Sequence, residues 1–528
     1  MNFSSETSRR RFLAQSAVAT GALCVPAAMA QTNSVEQSEP ACVRVLLHEA
    51  DSKPLEHHRA KTLHARDLAN DPLPQKVHSA EGRARIELTD EPVQLSCQIS
   101  VPRFGEVCCY ADNDGKGYTH PGNVEFVVEA AKTRLRRVRE YYAQVRSTIA
   151  TDPQLQRSLE GAARPIPRQP GAEQIAAAYE ALVDGLHASE RLALFAGRSP
   201  TSRMEPRRNF LFGGPAFGWQ RGAEYEKRFR ALFNFAVTSW YSWKNPEPEW
   251  DRIDYTRYDE SLDWCLQRHL TPKGFGYCYM IHGATPEWIR SWPYERILPV
   301  YKNVVRETMR RYDGRVPYAE IINEAHDSAN LWKLSHKQIL EITREVLKSA
   351  REGSATVKRL INNCCLWAEG ATKRNDDGSR RWSAYRYLKD CVSNGSEFEV
   401  IGLQLYYPRQ DVFEIERMLD RFKAFKKPLH ISEISCNSAP GLDEASMRPK
   451  DLVPGWHGPW TEKMQADWLE SIYTICYSKP EFEAIGYWDI ADYGGHFWPF
   501  GGLLHKDYTP KESYLRLLDL QKSWRVKV

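Results

Sequence analysis

The sequence has little net charge and lacks a basic run beyond its first residues. Its 528 residues carry a formal charge of +4, with 72 Lys and Arg against 68 Asp and Glu. No RNA- or DNA-binding motif is present, and nucleic-acid binding requires a concentrated basic surface. We therefore expect no nucleic-acid partner.

The cysteine spacings typical of zinc sites are also missing. The 12 cysteines are scattered, and none belongs to a CxxC or Cys/His pattern. We predict neither a metal ion nor a cofactor.

The N-terminus carries an apolar run that is too short to span a bilayer. Residues 8–13 read SRRRFL, which is a twin-arginine signal, residues 17–28 are largely apolar, and residues 28–30 read AMA like a cleavage site. We predict that residues 1–30 are a twin-arginine signal peptide. The mature protein is then exported to the periplasm or the extracellular space, without a membrane anchor.

Disulfides are expected to be scarce. Removing Cys24 with the signal peptide leaves 11 cysteines, which is an odd number. A twin-arginine substrate folds in the reducing cytoplasm, where thiols stay unpaired. We predict few or no structural disulfides.

Two segments precede the largest part of the chain. Residues 41–120 alternate apolar and polar side chains, with strand-like runs at 43–47, 84–88 and 93–99, and predict a β-sandwich-like domain. Residues 121–200 predict a helical hairpin linker, with helices over 124–146 and 173–191 and a proline-rich break at 164–170. The charges on these helices are typical of a solvated face.

From residue 208 to 522, short apolar runs alternate with amphipathic helices, which is the pattern of an α/β fold. Eight such runs over roughly 320 residues predict a (β/α)8 TIM barrel as the catalytic domain. The runs are residues 210–212, 232–237, 275–281, 319–322, 359–362, 400–405, 429–432 and 484–488.

Two glutamates close strand-like runs of this barrel. Glu324 ends the run YAEIINE and Glu433 ends the run PLHISE. Active sites of such barrels are built at the carboxyl ends of the strands. Cleavage of a glycosidic bond needs two carboxyl groups, one to protonate the leaving oxygen and one to attack or to activate water.

The barrel segment resembles glycoside hydrolase family 10, which is best known for endo-β-1,4-xylanases. The resemblance covers about residues 208–520 and depends on the order and spacing of several motifs. These are 276–282 (GYCYMIH) with 285–288 (TPEW), 323–324 (NE), 402–404 (GLQ), 431–433 (ISE) and 487–492 (YWDIAD), then Trp498, 503–504, 510–511 and Tyr514.

This resemblance implies a retaining glycoside hydrolase that acts by double displacement. It implies that Glu324 is the acid/base and that Glu433 is the nucleophile. It also implies sugar-binding roles for a further set of residues, namely Lys244, His282, Asn323, Gln404, Trp488 and Trp498. For the histidine, Asn323, Gln404 and Trp488, a purely structural role stays an alternative.

The sequence departs from the family pattern around the glycone. Where family xylanases carry Glu-Asn before a conserved lysine, this chain has Trp240 and Tyr241. Tyr406 replaces a histidine after Gln404, and Ile281 replaces a tryptophan. We therefore predict an altered glycone pocket, although these aromatic residues could instead belong to a lid or to the core.

The predicted function is that of a secreted, xylanase-like glycosidase that cleaves β-glycosidic bonds of a plant or algal polysaccharide. A carbohydrate is the expected partner, and we expect a monomer. Two alternatives stay open: a non-catalytic glycan-binding protein, and an exo-acting β-glycosidase on a smaller, non-xylan glycoside. Retention of both glutamates argues against the first alternative.

Overall fold

The computed structural model describes residues 41–526 except 150–151, 202–203, 239–242, 245–246, 248, 328, 376–377 and 450–453. The predicted signal peptide lies outside this part of the chain. From Ala41 onward the chain forms one compact unit. Within the described part, no helix is long and apolar enough to cross a membrane.

Two small sheets make up the β-rich N-terminal region. Its elements are β1 (Cys42–Leu46), α1 (His57–Ala60), β2 (His64–Arg66), β3 (Val77–Ala80), β4 (Arg83–Glu87), β5 (Gln94–Val101), β6 (Gly105–Ala111) and β7 (Gly122–Glu125). One sheet has the order β3-β4-β1-β7 and the other the order β2-β5-β6. The pairing of β1 with β7 is parallel, so the first sheet is mixed.

Three helices connect this region to the barrel: α2 (Phe126–Val145), α3 (Pro153–Ala162) and α4 (Ala172–Thr201). Helices α2 and α4 agree with the predicted hairpin, and α3 was not predicted. Its start is fixed by Asp152, whose side chain accepts a hydrogen bond from the backbone N–H of Leu155 at 2.6 Å. Proline at the first helical position suits such a start.

The charged face predicted for α2 is not fully solvated, which corrects that expectation. Arg134 and Arg137 are buried against the barrel. Arg134 binds both carboxylate oxygens of Asp411, at 3.0 and 2.6 Å, and Arg137 binds Glu414 at 2.9 Å. Buried charges persist only when paired in this way, so α2 is fixed to the barrel by ion pairs.

Eight parallel strands, each followed by a helix, close the predicted barrel. The strands are β8 (Leu211–Pro215), β9 (Phe235–Val237), β10 (Thr271–Gly274), β11 (Tyr318–Asn323), β12 (Lys358–Asn363), β13 (Val400–Tyr406), β14 (Leu429–Ser435) and β15 (Phe482–Tyr487). The barrel closes where β15 pairs with β8, in a register that places Ile485 opposite Phe212. Every residue of β14 is buried, as expected for a strand covered on both faces.

The helices around the barrel are α5 (Ala223–Leu232), α6 (Thr256–Gln267), α7 (Tyr294–Arg311), α8 (His336–Gly353), α9 (Ala384–Ser393), α10 (Val412–Arg421), α11 (Glu462–Tyr477) and α12 (Glu512–Ser523). Short 3₁₀ helices lie at Glu287–Ile289, Glu369–Thr372 and Phe422–Phe425. One continuous apolar core joins the barrel interior to the inner faces of these helices.

The third barrel strand lies earlier than its predicted position at 275–281. The strand is Thr271–Gly274, and Gly276 then adopts a φ of 71°. A left-handed residue cannot continue an extended strand. The apolar residues that follow therefore form a loop over the barrel's carboxyl end.

The 11 cysteines of the described chain are all free thiols. Ten of them are buried, and Cys365 is exposed.

Candidate active site

Glu324 lies at the carboxyl end of the barrel, directly after β11. Its backbone is held at a φ of 53°. The Tyr279 hydroxyl donates to its Oε2 at 2.9 Å, and the Gln404 amide donates to its Oε1 at 2.7 Å. Both carboxylate oxygens are therefore fixed, one by a phenol and one by an amide.

Glu433 lies on β14 and is held by the same two kinds of donor. The Asn362 amide donates to its Oε1 at 3.0 Å, and the Tyr406 hydroxyl donates to its Oε2 at 2.7 Å. The Ser432 hydroxyl donates to the Asn362 amide oxygen, which fixes the orientation of that amide. The two glutamates thus have matched hydrogen-bonding environments.

A buried ion pair lies close to the two glutamates. Lys273 Nζ is 2.8 Å from Glu320 Oε2, and both side chains are almost fully buried. Burial, followed by the nearby carboxylates of Glu320 and Glu324, raises the pKa of Glu433 to about 8. Burial also raises the pKa of Glu324. The pair can therefore hold a proton near neutral pH, as acid–base catalysis requires.

These glutamates face a cleft of about 930 Å³. Asn323, Gln404, Tyr406, Trp488 and Trp498 line it together with them. The ring of Tyr406 stacks on Trp498 with centroids 5.2 Å apart. Most of the residues predicted from sequence to contact substrate are thus brought together.

Aromatic side chains form much of the cleft wall. Trp488 packs edge-on against Phe217 and at a tilt to Phe275, with centroid distances of 5.5 and 5.2 Å. The indole N–H of Trp498 donates to Asn437 at 2.8 Å. Such walls suit the C–H face of a sugar.

Two predicted binding residues are not in the cleft lining. His282 is exposed, and Lys244 Nζ lies 3.5 Å from Glu287 Oε1. His282 does not line the cleft because β10 ends early, and the loop after Gly276 places Tyr279 beside Glu324 instead. Trp240 and Tyr241 lie outside the described residues, and the roles predicted for them stay predictions.

Four residues of the site were not predicted from the sequence, namely Tyr279, Asn362, Lys273 and Glu320. Tyr279 falls within the motif 276–282, and Asn362 falls near the end of the run at 359–362. Polar residues at strand ends of a barrel were the available signal. The Lys273–Glu320 pair had no such signal, because neither residue has a partner nearby in sequence.

Among the residues that the structure describes, one group of side chains could hold a metal ion. The ligand atoms of Asp327, Cys364 and Cys365 lie within 4.8 Å of one another at the cleft. The thiols of Cys364 and Cys365 are 3.7 and 3.4 Å from Asp327 Oδ2. Two thiols and one carboxylate are ligands that soft divalent ions accept, although the sequence predicts no metal here.

Comparison with known proteins identifies the family of the barrel segment. The profile of glycosyl hydrolase family 10 matches residues 219–519. The chain is 22% identical over 293 residues to endo-1,4-beta-xylanase B of Thermotoga neapolitana, covering 53% of this chain and 78% of that protein. It is 21% identical over 348 residues to a beta-1,4-xylanase of Dictyoglomus thermophilum, covering 61% and 92%.

Solved structures of similar proteins include xylanase 10B from Thermotoga petrophila RKU-1 in complex with xylobiose. That structure has a TM-score of 0.48 and 19% sequence identity, covering 61% of this chain and 97% of that chain. Native xylanase 10B from Thermotoga maritima has a TM-score of 0.48 and 21% identity, covering 59% and 96%.

Proposed function

Since this chain belongs to glycosyl hydrolase family 10 and is a glycoside hydrolase, we propose that it cleaves β-glycosidic bonds of a xylan-like plant or algal polysaccharide by double displacement, with net retention. The observation that carries the proposal is the pair of buried glutamates, each held by one phenol and one amide at the carboxyl end of the barrel.

In the first step, Glu433 attacks the anomeric carbon while Glu324 protonates the departing glycosidic oxygen. The attack needs a carboxylate fixed in one orientation. The hydrogen bonds from Asn362 and Tyr406 provide that orientation. In the second step, Glu324 takes a proton from water, which hydrolyses the glycosyl–enzyme bond.

Asn323 and Gln404 are suited to bind sugar hydroxyls beside the cleaved bond. Both line the cleft, and Gln404 Nε2 lies 3.5 Å from Asn323 Oδ1 as well as 2.7 Å from Glu324. Hydrogen bonds to such hydroxyls strengthen in the transition state. Gln404 would thus link substrate binding to the orientation of the acid/base.

The glycone pocket differs from that of xylanases in this proposal. Tyr406 stacks on Trp498 and also donates to the nucleophile, so an aromatic surface borders the reacting sugar. Each hydroxyl contact that this surface cannot replace weakens binding by about 1–3 kcal/mol. We therefore expect weak hydrolysis of unsubstituted β-1,4-xylan.

Two measurements test the proposal. Proton NMR of early products should show the retained anomer first, whereas an inverted anomer would contradict double displacement. A panel of β-linked glycans with reducing-end detection should show activity on a substituted polysaccharide and weak activity on plain xylan. The Glu433→Ala variant is the control and should be inactive on every glycan. Hydrolysis of plain xylan at ordinary xylanase rates would show that the pocket is not altered.

Export forms a separate part of the proposal. The SRRRFL segment at residues 8–13 supports a twin-arginine signal. The enzyme would then act outside the cytoplasm, where a polysaccharide substrate is found.

A further inference from the structure

Two thiols and a carboxylate meet at the active-site cleft, beside the proposed acid/base. Asp327 follows Glu324 closely in the chain, and Cys364 and Cys365 directly follow β12. All three side chains line the cleft, and their ligand atoms lie within 4.8 Å of one another. None of the three takes part in the proposed reaction, so the catalytic role of the cleft does not explain why they converge.

The backbone directs two consecutive side chains to the same point. Along an extended strand, neighbouring side chains point to opposite faces. Here β12 ends at Asn363, and Cys365 has a φ of 48°, a left-handed conformation that a non-glycine residue keeps only where its surroundings impose it. Both thiols thereby reach one atom, because Cys364 and Cys365 donate to Asp327 Oδ2 at 3.7 and 3.4 Å.

The loops that carry these side chains are fixed to each other by hydrogen bonds. The backbone N–H of Glu324 donates to the carbonyl of Asn362 at 3.0 Å, and the N–H of Asp327 donates to the carbonyl of Glu324 at 3.0 Å. The buried His326 donates from its ring Nε2 to the carbonyl of Cys364 at 3.1 Å. The carboxylate and the thiols are thus held near one another before a ligand binds, which lowers the cost of ordering them.

The spacing of the ligand atoms matches that of a tetrahedral zinc site. Zinc binds thiolate sulfur at about 2.3 Å and carboxylate oxygen at about 2.1 Å, so a tetrahedral angle separates the sulfur from the oxygen by about 3.6 Å. The two sulfurs lie 3.7 and 3.4 Å from Asp327 Oδ2. An ion therefore fits between these atoms with small side-chain adjustments. Three protein ligands leave the fourth position of such an ion to water.

The ligand atoms favour a soft ion over a hard one. Thiolates suit soft ions such as Zn²⁺ and Cd²⁺, whereas Mg²⁺ and Ca²⁺ prefer oxygen ligands. Each thiol that coordinates the ion releases its proton to solvent. The contact with Cys365, followed by burial, raises the pKa of the Cys364 thiol, which opposes binding of any ion without a strong preference for thiolate.

We propose that Asp327, Cys364 and Cys365 bind a soft divalent ion of the Zn²⁺ class, and that the bound ion inhibits the enzyme. Glu324 protonates the departing oxygen, so the leaving part of the substrate lies beside it. An ion and its water in that part of the cleft exclude this sugar, and inhibition is then competitive. The inhibition rests on the proposed glycosidase function, whereas binding of the ion does not.

Binding is tested on the reduced protein by spectroscopy. Titration with Cd²⁺ should produce the ultraviolet charge-transfer band of cadmium–thiolate bonds and saturate at one ion per chain. The exposed thiol of Cys365 makes the cluster accessible, whereas the other described thiols are buried. Calorimetry should show binding of Zn²⁺ and none of Ca²⁺. A native protein without the cadmium band, or one that binds Ca²⁺ as tightly as Zn²⁺, would overturn the site.

Two variants assign the ion to this cluster. Cys365→Ser and Asp327→Ala each remove one ligand. Loss of a residue that only supports a metal ligand costs about 10–100-fold in affinity, so loss of a ligand should weaken Cd²⁺ binding at least about tenfold. Cys42→Ser is the matched control, since Cys42 is a buried thiol on β1 and not at the cleft, and it should keep the native affinity. Native affinity in both ligand variants would overturn the assignment.

Activity separates this inference from the proposed function. At a free Zn²⁺ concentration about ten times its Kd, competitive inhibition should raise KM about tenfold and leave kcat unchanged, and a chelator should reverse the effect. The same Zn²⁺ concentration should raise the KM of Cys365→Ser by no more than about twofold. If no glycan is hydrolysed, the proposed function fails, while a cadmium band that is weakened in the ligand variants still supports the ion site. Binding that leaves KM unchanged would overturn the inhibitory role.

Discussion

Replacing Glu433 by Gln should make the fold more stable at neutral pH while it abolishes activity. Burial and the carboxylates of Glu320 and Glu324 raise the pKa of Glu433 from 4.5 to about 8. When folding raises the pKa of an acid, the stabilising contribution of that acid is fully present below its unfolded pKa. This contribution is lost as the pH rises through the folded pKa. The contribution of Glu433 to stability therefore falls from pH 4.5 to pH 8, and that of a glutamine, which cannot ionise, does not.

The size of the effect follows from that pKa and from two hydrogen bonds. Above pH 4.5, Glu433 lowers the free energy of unfolding by about 1.4 kcal/mol per pH unit, so the loss reaches about 3 kcal/mol at pH 7. Glutamine has one oxygen acceptor where the carboxylate has two, so the bond from Asn362 or from Tyr406 is rearranged at a cost of about 1 kcal/mol. We expect the variant to be more stable by about 2 kcal/mol at pH 7 and slightly less stable at pH 4.

Chemical denaturation followed by tryptophan fluorescence at pH 4, 5.5, 7 and 8 measures this difference. Glu399→Gln is a control of opposite sign. Burial raises the pKa of Glu399, but hydrogen bonds from Arg359 outweigh burial and lower it to about 2. The contribution of Glu399 to stability is present above its unfolded pKa and is lost as the pH falls through its folded pKa. The Glu399→Gln control should therefore be less stable than the native protein at pH 7. A stability difference between Glu433→Gln and the native protein that does not change with pH would refute the reasoning.

Three further outcomes are expected. Glu324→Ala should retain much more of its glycosylation rate on aryl glycosides with good leaving groups than on unactivated ones, and equal losses would contradict its role as proton donor. Glu320→Gln removes a negative charge near Glu433, so the acidic limb of the pH–rate profile should move to lower pH; an unmoved limb would show that Glu320 does not act on the nucleophile. Replacing Arg9 and Arg10 by Lys keeps the charge and should block export, and unchanged secretion of the double variant would exclude the twin-arginine signal.

The barrel and its two glutamates were predictable because their signals are local. A short apolar run that alternates with amphipathic helices is a property of consecutive residues, and Glu324 and Glu433 each end such a run. The eight predicted runs each correspond to a strand of the barrel, and only the third is displaced. That displacement depends on the φ of Gly276, and several conformations of a glycine are compatible with the sequence.

The environment of the glutamates was not predictable, because it is formed by residues distant in sequence. Tyr406 reaches Glu433 across 27 positions, and Asn362 reaches it across 71. The burial of Arg134 on α2 depends likewise on Asp411, 277 positions away. Periodicity assigned that arginine to a solvated face because a helix sequence does not reveal which partner covers it.

The two glutamates accept hydrogen bonds from matched groups, so charges farther away decide which of them carries the proton. Each carboxyl group accepts from one phenol and one amide, so direct hydrogen bonds favour neither as the acid. Burial raises the pKa of both carboxyl groups. Glu320 raises that of Glu433 further, to about 8, whereas the carboxylate of Asp327 raises and Arg448 lowers the pKa of Glu324. A pKa of about 8 keeps the proton on Glu433 at neutral pH in the free enzyme, which is the reverse of what the proposed first step needs. In the proposed mechanism the reacting sugar reverses this preference, because positive charge develops at its anomeric carbon beside Glu433 and stabilises the ionised form of that residue. Protonation of Glu324 then follows in that mechanism from substrate binding, and burial, which raises the pKa of Glu324, helps that residue to hold the proton.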